Sequence, residues 1–257
     1  MTGFNNVLSK ADIMSAKKSI VIDNCRLCGD PAELQHSHLF SDFLYQPIYQ
    51  QAPQYMEVSV LKGQARKDQG GQREYLLCQI CEGKRSKWEQ YGKQFLSNNA
   101  GVRWDKLDND TYFAGGIDYK KIKLFALSTL WVYSVSNNPD HKSINLGPHE
   151  EVLRKMLLSE DPGPTEHYGI VLCKFIQQYP DGSLLALPKR VKDSGHYWYY
   201  MIMGGYIWYI VVTGHKTQAV LNNNFIKETG EAFISIKSIS DVGITARTIG
   251  RINQPRS

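Results

Sequence analysis

The chain has 257 residues, 42% hydrophobic and 21% charged, with a formal charge of +5 and a pI near 8.8. That is enough chain to bury a core in one large domain or two small ones, and the mild basicity permits a polyanionic partner without requiring one. No run approaches the length of a membrane-spanning helix, and Met1 to Ile22 lacks the apolar stretch of a signal peptide, so a soluble cytoplasmic protein with no membrane partner is expected.

Residues 1–23 are polar with scattered apolar positions and read as an N-terminal arm. The chain then enters Cys25-Arg26-Leu27-Cys28. This spacing lets two thiolates from one tight turn reach the same tetrahedral ion, and Gly29 stands where such a turn needs a positive φ. A matching pair, Cys78-Gln79-Ile80-Cys81, follows fifty residues later. Chance spacing and thioredoxin-like redox pairs are the alternatives, and the latter expect a βαβ setting that this sequence does not supply. The four cysteines therefore read as ligands of a structural zinc. Cys173, in the apolar run Ile170-Val171-Leu172-Cys173, reads as a buried small hydrophobe.

Between the pairs, Ala32 to Tyr49 suggests a strand or turn holding His36, Ser37 and His38, then a short helix interrupted by Pro47. Gln50 to Arg73 reads as an exposed insertion with a strand near Met56 to Leu61 and a turn at Gln69-Gly70-Gly71-Gln72. Glu82 to Leu96 is a predicted helix, stopped at Asn98-Asn99-Ala100-Gly101. Knuckle, loop, knuckle, helix over 24–100 is the order of a treble clef. The remainder, 101–257, reads as helices at Ile117 to Val135 and Glu150 to Leu158 followed by an antiparallel β-rich section. Its strands are expected at Ile170 to Gln177, Leu184 to Leu187, Tyr197 to Met203, Tyr206 to Val212 and Phe233 to Ile236, with a hairpin at Gly204-Gly205 and a basic tail from Arg247. The fold class is α+β.

The run Cys25-x-x-Cys28, Ser37-His38-Leu39, Leu77-Cys78-x-x-Cys81-Glu82 resembles the HNH endonuclease pattern, in particular a bacterial HNH-like group with Ser-His and Cys-x-x-Cys-Glu motifs. The HNH pattern covers about 75 of the 257 residues, and the remaining section of the bacterial group is matched to Gly116-Ile117-Asp118-Tyr119, Leu127-Ser128-x-x-Trp131 and Leu146-Gly147-x-His149-Glu150. The resemblance implies a ββα-metal finger that cleaves nucleic acid, with His38 as the general base and Glu82 as a ligand, on the helix, of a catalytic Mg²⁺ or Mn²⁺. Bacterial defence is implied by analogy with such nucleases. Ser37 stands where an acidic neighbour of the base is usual, and Gln72-Arg73-Glu74-Tyr75 occupies the place of the expected asparagine. His36, two residues before His38 on a strand, and Glu89, seven beyond Glu82 on a helix, could complete the ligand set. Lys84, Arg85, Lys87 and Lys93 are the expected phosphate contacts to DNA, or to RNA. The rival expectation is a non-catalytic zinc-binding adaptor for nucleic acid or protein, and a protein partner controlling activity fits either.

Overall fold

The computed structural model describes residues 20–50, 55–59, 64–68, 70–176, 184–193, 195–213 and 223–238. The basic tail and most of the N-terminal arm lie outside them. Among the described residues no helix is long and apolar enough to cross a membrane.

Strand β1 (Ile22–Asn24) leads into the first cysteine pair and lies antiparallel to β2 (Pro31–His38). A 3-10 turn over Asp42–Tyr45 and a single helical turn, α1 (Gln46–Tyr49), follow, with Pro47 placed at the helix start, where its missing N–H is harmless. Strands β3 (Tyr55–Ser59) and β4 (Gln64–Asp68) form a two-stranded ribbon within the expected insertion. Gly70 and Gly71 then take φ of 93° and 73°, which makes the turn back into β5 (Arg73–Cys78). Strands β1, β2 and β5 make one antiparallel sheet.

Helix α2 (Gln79–Leu96) begins three residues before the sequence suggests, because Cys78 is its extended N-cap. Its buried face is Cys81, Arg85, Trp88, Tyr91, Gly92 and Phe95, a helical stripe in which Arg85 is the one charge. The chain next forms β6 (Arg103–Lys106) and β7 (Thr111–Gly115), a hairpin that the polar sequence of this stretch conceals. Helix α3 (Tyr119–Ser134), capped by Asp118 accepting from the Lys121 N–H at 3.0 Å, buries every residue from Ile122 to Tyr133. Helix α4 (His149–Ser159) packs on α3 and ends at Glu160 in the left-handed conformation.

The remaining strands are β8 (Ile170–Ile176), β9 (Ala186–Asp193), β10 (His196–Met203), β11 (Tyr206–Val212) and β12 (Glu231–Ser238). They join β6 and β7 in a seven-stranded sheet of order β6-β7-β12-β8-β11-β10-β9, antiparallel except where β12 runs parallel to β8. The fold is thus α+β. One hydrophobic cluster runs continuously from Cys25 and Leu27 at the knuckle, through Trp88, Phe125 and Trp131, to Trp208 and Ile234 on the sheet.

Candidate functional site

Cys25 and Cys28 come from the turn between β1 and β2, and Cys78 and Cys81 from the N-cap and first turn of α2. Their four sulfurs lie within 4.8 Å of one another, and Cys28 Sγ is 4.0 Å from Cys78 Sγ. Four thiolates at about 2.3 Å around a tetrahedral ion stand roughly 3.8 Å apart, so the cluster has the dimensions to hold zinc. The backbone N–H of Cys78 donates to Cys25 Sγ at 3.3 Å, and Gly29, with φ of 88°, closes the turn as expected. Burial raises the Cys25 thiol, yet the N–H groups of Cys28, Cys78 and Leu27 outweigh it and the net shift is downward. Burial, assisted by the neighbouring sulfurs, pushes Cys28 up to about 11 and Cys81 higher still. A cation is what lets four such groups ionise together.

The residues around His38 are arranged by an irregularity in β2 against β5. The register shifts between Gln35 and His36, leaving Leu76 as an extra residue on β5. Across this bulge the buried position of β2 passes from Leu34 to Ser37, an odd spacing that a regular strand does not give. Ser37 therefore faces α2 and donates to Glu82 Oε2 at 2.7 Å. One and two turns further on, the Arg85 guanidinium, 2% exposed, donates to the carbonyls of His38 and Leu39 at 2.6 and 2.7 Å and pairs with Glu89 at 3.0 Å. Ser41 donates to the same Glu89 oxygen at 2.7 Å. Burial raises the Glu82 carboxyl, with Glu89 adding to the shift and Arg85 and Ser37 opposing it.

His38 lies on the other side of the strand, opposite Arg73 on β5. Its Nε2 is 2.9 Å from the Gly70 carbonyl, 3.2 Å from Asp42 Oδ1 and 2.9 Å from Arg73 Nε. Arg73 Nε can donate either to Nε2 or to the Gly70 carbonyl at 3.3 Å; in the tautomer with the proton on Nε2, the Gly70 and Asp42 oxygens accept from the ring and Arg73 Nε donates to Gly70. Nδ1 then carries the lone pair, and no described residue hydrogen-bonds it. Burial first, and then the Arg73 charge, lower the His38 pKa, so the ring is neutral at pH 7.

The expected site residues are thus only partly brought together. The four cysteines converge. Glu82 and Glu89 share a face of α2, but their carboxylates are spent on Ser37, Arg85 and Ser41. His36 is exposed and stacks on Tyr75 at 4.7 Å, so it ligates nothing with them. Among the described residues, the cysteines are the one group of His, Cys, Asp and Glu donors close enough to share an ion. The donors expected to hold Mg²⁺ or Mn²⁺ do not fit such an ion as they stand. Of the expected phosphate contacts, Lys87 and Lys93 are exposed, while Arg85 is buried because positions 81, 85, 88 and 92 form the inward stripe of the helix. Lys84 donates to the Leu158 carbonyl at 2.8 Å and pairs with Glu160 at 3.5 Å, closing the end of α4.

Sequence reasoning missed Arg73, Ser41 and Asp42. Glu74, also missed, takes hydrogen bonds from the Ser136 hydroxyl and from the Asn137 N–H, the latter at 2.8 Å, and so ties β5 to the end of α3. No family model, curated protein or solved structure matches the chain.

Proposed function

We propose that the chain is an HNH-like, zinc-stapled treble-clef protein that hydrolyses phosphodiester bonds in nucleic acid, DNA before RNA. The observation that carries this reading is the tether on His38, whose Nε2 lies 2.9 Å from the Gly70 carbonyl; in the tautomer that donates there, Nδ1 is left to accept a proton, and burial favours the uncharged ring. The knuckle, the antiparallel β2 and β5, and a helix carrying one ligand at its N-cap and one in its first turn have the order of a treble clef, and four thiolates suit zinc. His38 Nδ1 would take a proton from water as its oxygen bonds to phosphorus and the ester P–O bond breaks, the departing oxygen taking a proton from solvent. Arg73, exposed beside the ring, would stabilise the charge growing on the phosphoryl oxygens. No step is assigned to Mg²⁺ or Mn²⁺.

The adaptor is the second reading, and the commitment of Glu82 and Glu89 to Ser37, Arg85 and Ser41 favours it. Cleavage of plasmid and single-stranded substrates by wild type and His38→Ala separates the two. A base contributes about 10²- to 10⁴-fold, so the variant should lose at least a hundredfold in rate while keeping its zinc and its nucleic-acid affinity. A wild-type protein that binds nucleic acid but leaves it intact across Mg²⁺ and Mn²⁺ concentrations would establish the adaptor instead.

A further inference from the structure

Strand β9 is an edge of the seven-stranded sheet, and its exposed residues include Lys189, Arg190 and Lys192. In the antiparallel register Lys192 lies opposite Tyr197 and Arg190 opposite Tyr199, so both cations stand on the face that carries Tyr197. The Arg190 guanidinium is 5.1 Å and the Lys192 ammonium 5.8 Å from the centre of the Tyr197 ring, which is itself 47% exposed. No carboxylate among the described residues pairs with either cation. Lysine on an edge strand is a common guard against strand addition. That role, however, asks for neither an arginine nor an exposed aromatic ring with two positive charges beside it.

We propose that this β9–β10 edge is a binding surface for single-stranded nucleic acid. An unstacked base lies on the Tyr197 ring, and the phosphates on either side of it are neutralised by Arg190 and Lys192. A duplex keeps its bases stacked on one another and offers the ring nothing to cover. The inference rests on the reading that the chain acts on nucleic acid, and it supplies the charged surface that buried Arg85 and committed Lys84 on α2 do not.

The test measures binding of a fluorescein-labelled oligothymidylate, over a range of salt, to full-length wild type, Tyr197→Ala, Tyr197→Phe, Lys192→Gln and Arg190→Ala/Lys192→Ala. Zinc content and thermal melting report whether each variant is folded. Loss of one stacked base should weaken binding roughly five- to a hundredfold in Tyr197→Ala, whereas Tyr197→Phe, which keeps the ring, should bind as wild type. Each lost phosphate contact should flatten the slope of log K against log salt by about 0.7, giving about 1.4 for the double variant. Lys192→Gln, the mildest change at an exposed position, should give the single step. Wild-type binding that Tyr197→Ala and the double variant leave unchanged overturns the patch and spares the nucleic-acid reading. Equal weakening of a duplex by Tyr197→Ala overturns the single-strand assignment, and a wild type that binds no nucleic acid overturns both readings.

Discussion

At the scale of residues, the buried cation Lys123 shows how one side chain ties stability to pH. It is 2% exposed, and its ammonium donates to the Tyr119 hydroxyl and to the Pro164 carbonyl, both at 2.8 Å. Burial lowers its pKa from 10.5 to about 7, against the opposing pull of Glu228, Glu166 and Asp161. Between about pH 7 and 10.5 the unfolded chain therefore binds more protons than the folded one, and this residue's contribution to stability rises with pH. Below pH 7 the full cost of a buried charge is present. Lys123→Met should accordingly gain most over wild type in melting temperature near pH 6.5 and progressively less toward pH 9.5. An offset that stays constant across that range would mean that Lys123 keeps its proton. Nothing in the sequence marks this lysine out from Lys120 and Lys121 beside it, because only the packing of α3 decides which of the three is enclosed.

At the scale of elements, α2 and α3 pack as closely as they do because residue 92 is glycine. A Cβ built there would lie 2.9 Å from the ring of Phe125, whose side chain is wholly buried and has no room to retreat. Alanine ordinarily gains about 1 kcal/mol over glycine inside a helix, but overpacking costs about 1–3 kcal/mol. Gly92→Ala should thus lower the melting temperature, and Gly92→Ala with Phe125→Leu should recover part of the loss; a stabilised single variant would show that the helices can separate. The helices and most strands were legible from apolar periodicity, and the cysteine spacing marked out the four-cysteine cluster. The surroundings of His38 were not legible, for a physical reason. Counting back from Cys78 along a regular strand pairs the wrong residues, since the bulge at Leu76 shifts the register by one. That shift brings Arg73 opposite His38 and turns Ser37 toward Glu82. The hairpin of β6 and β7 escaped for a different reason, since its first strand, Arg103-Trp104-Asp105-Lys106, carries its charges on an exposed sheet edge.

At the scale of the molecule, the cluster of buried side chains that begins at Cys25 reaches Ile234 without a break. If the cysteines hold zinc, as proposed, its loss should therefore be felt far from them. Cys78→Ser, or treatment with a strong chelator, should lower the melting temperature of the whole protein in one cooperative transition rather than releasing the first section alone. Two resolved transitions, the later one unchanged from wild type, would show that the sheet does not depend on the knuckle. The sheet's own order carries another consequence. Among the described residues, strand β12 sits between β7 and β8 and links the β6–β7 hairpin to the β8–β11–β10–β9 group, although it follows all of them in the chain. During synthesis every other strand of this sheet leaves the ribosome before the one that joins its two halves. Until Glu231–Ser238 arrives, the facing edges of β7 and β8 remain open to one another and to neighbouring chains, so the nascent protein passes through an aggregation-prone interval that the arrival of β12 brings to an end.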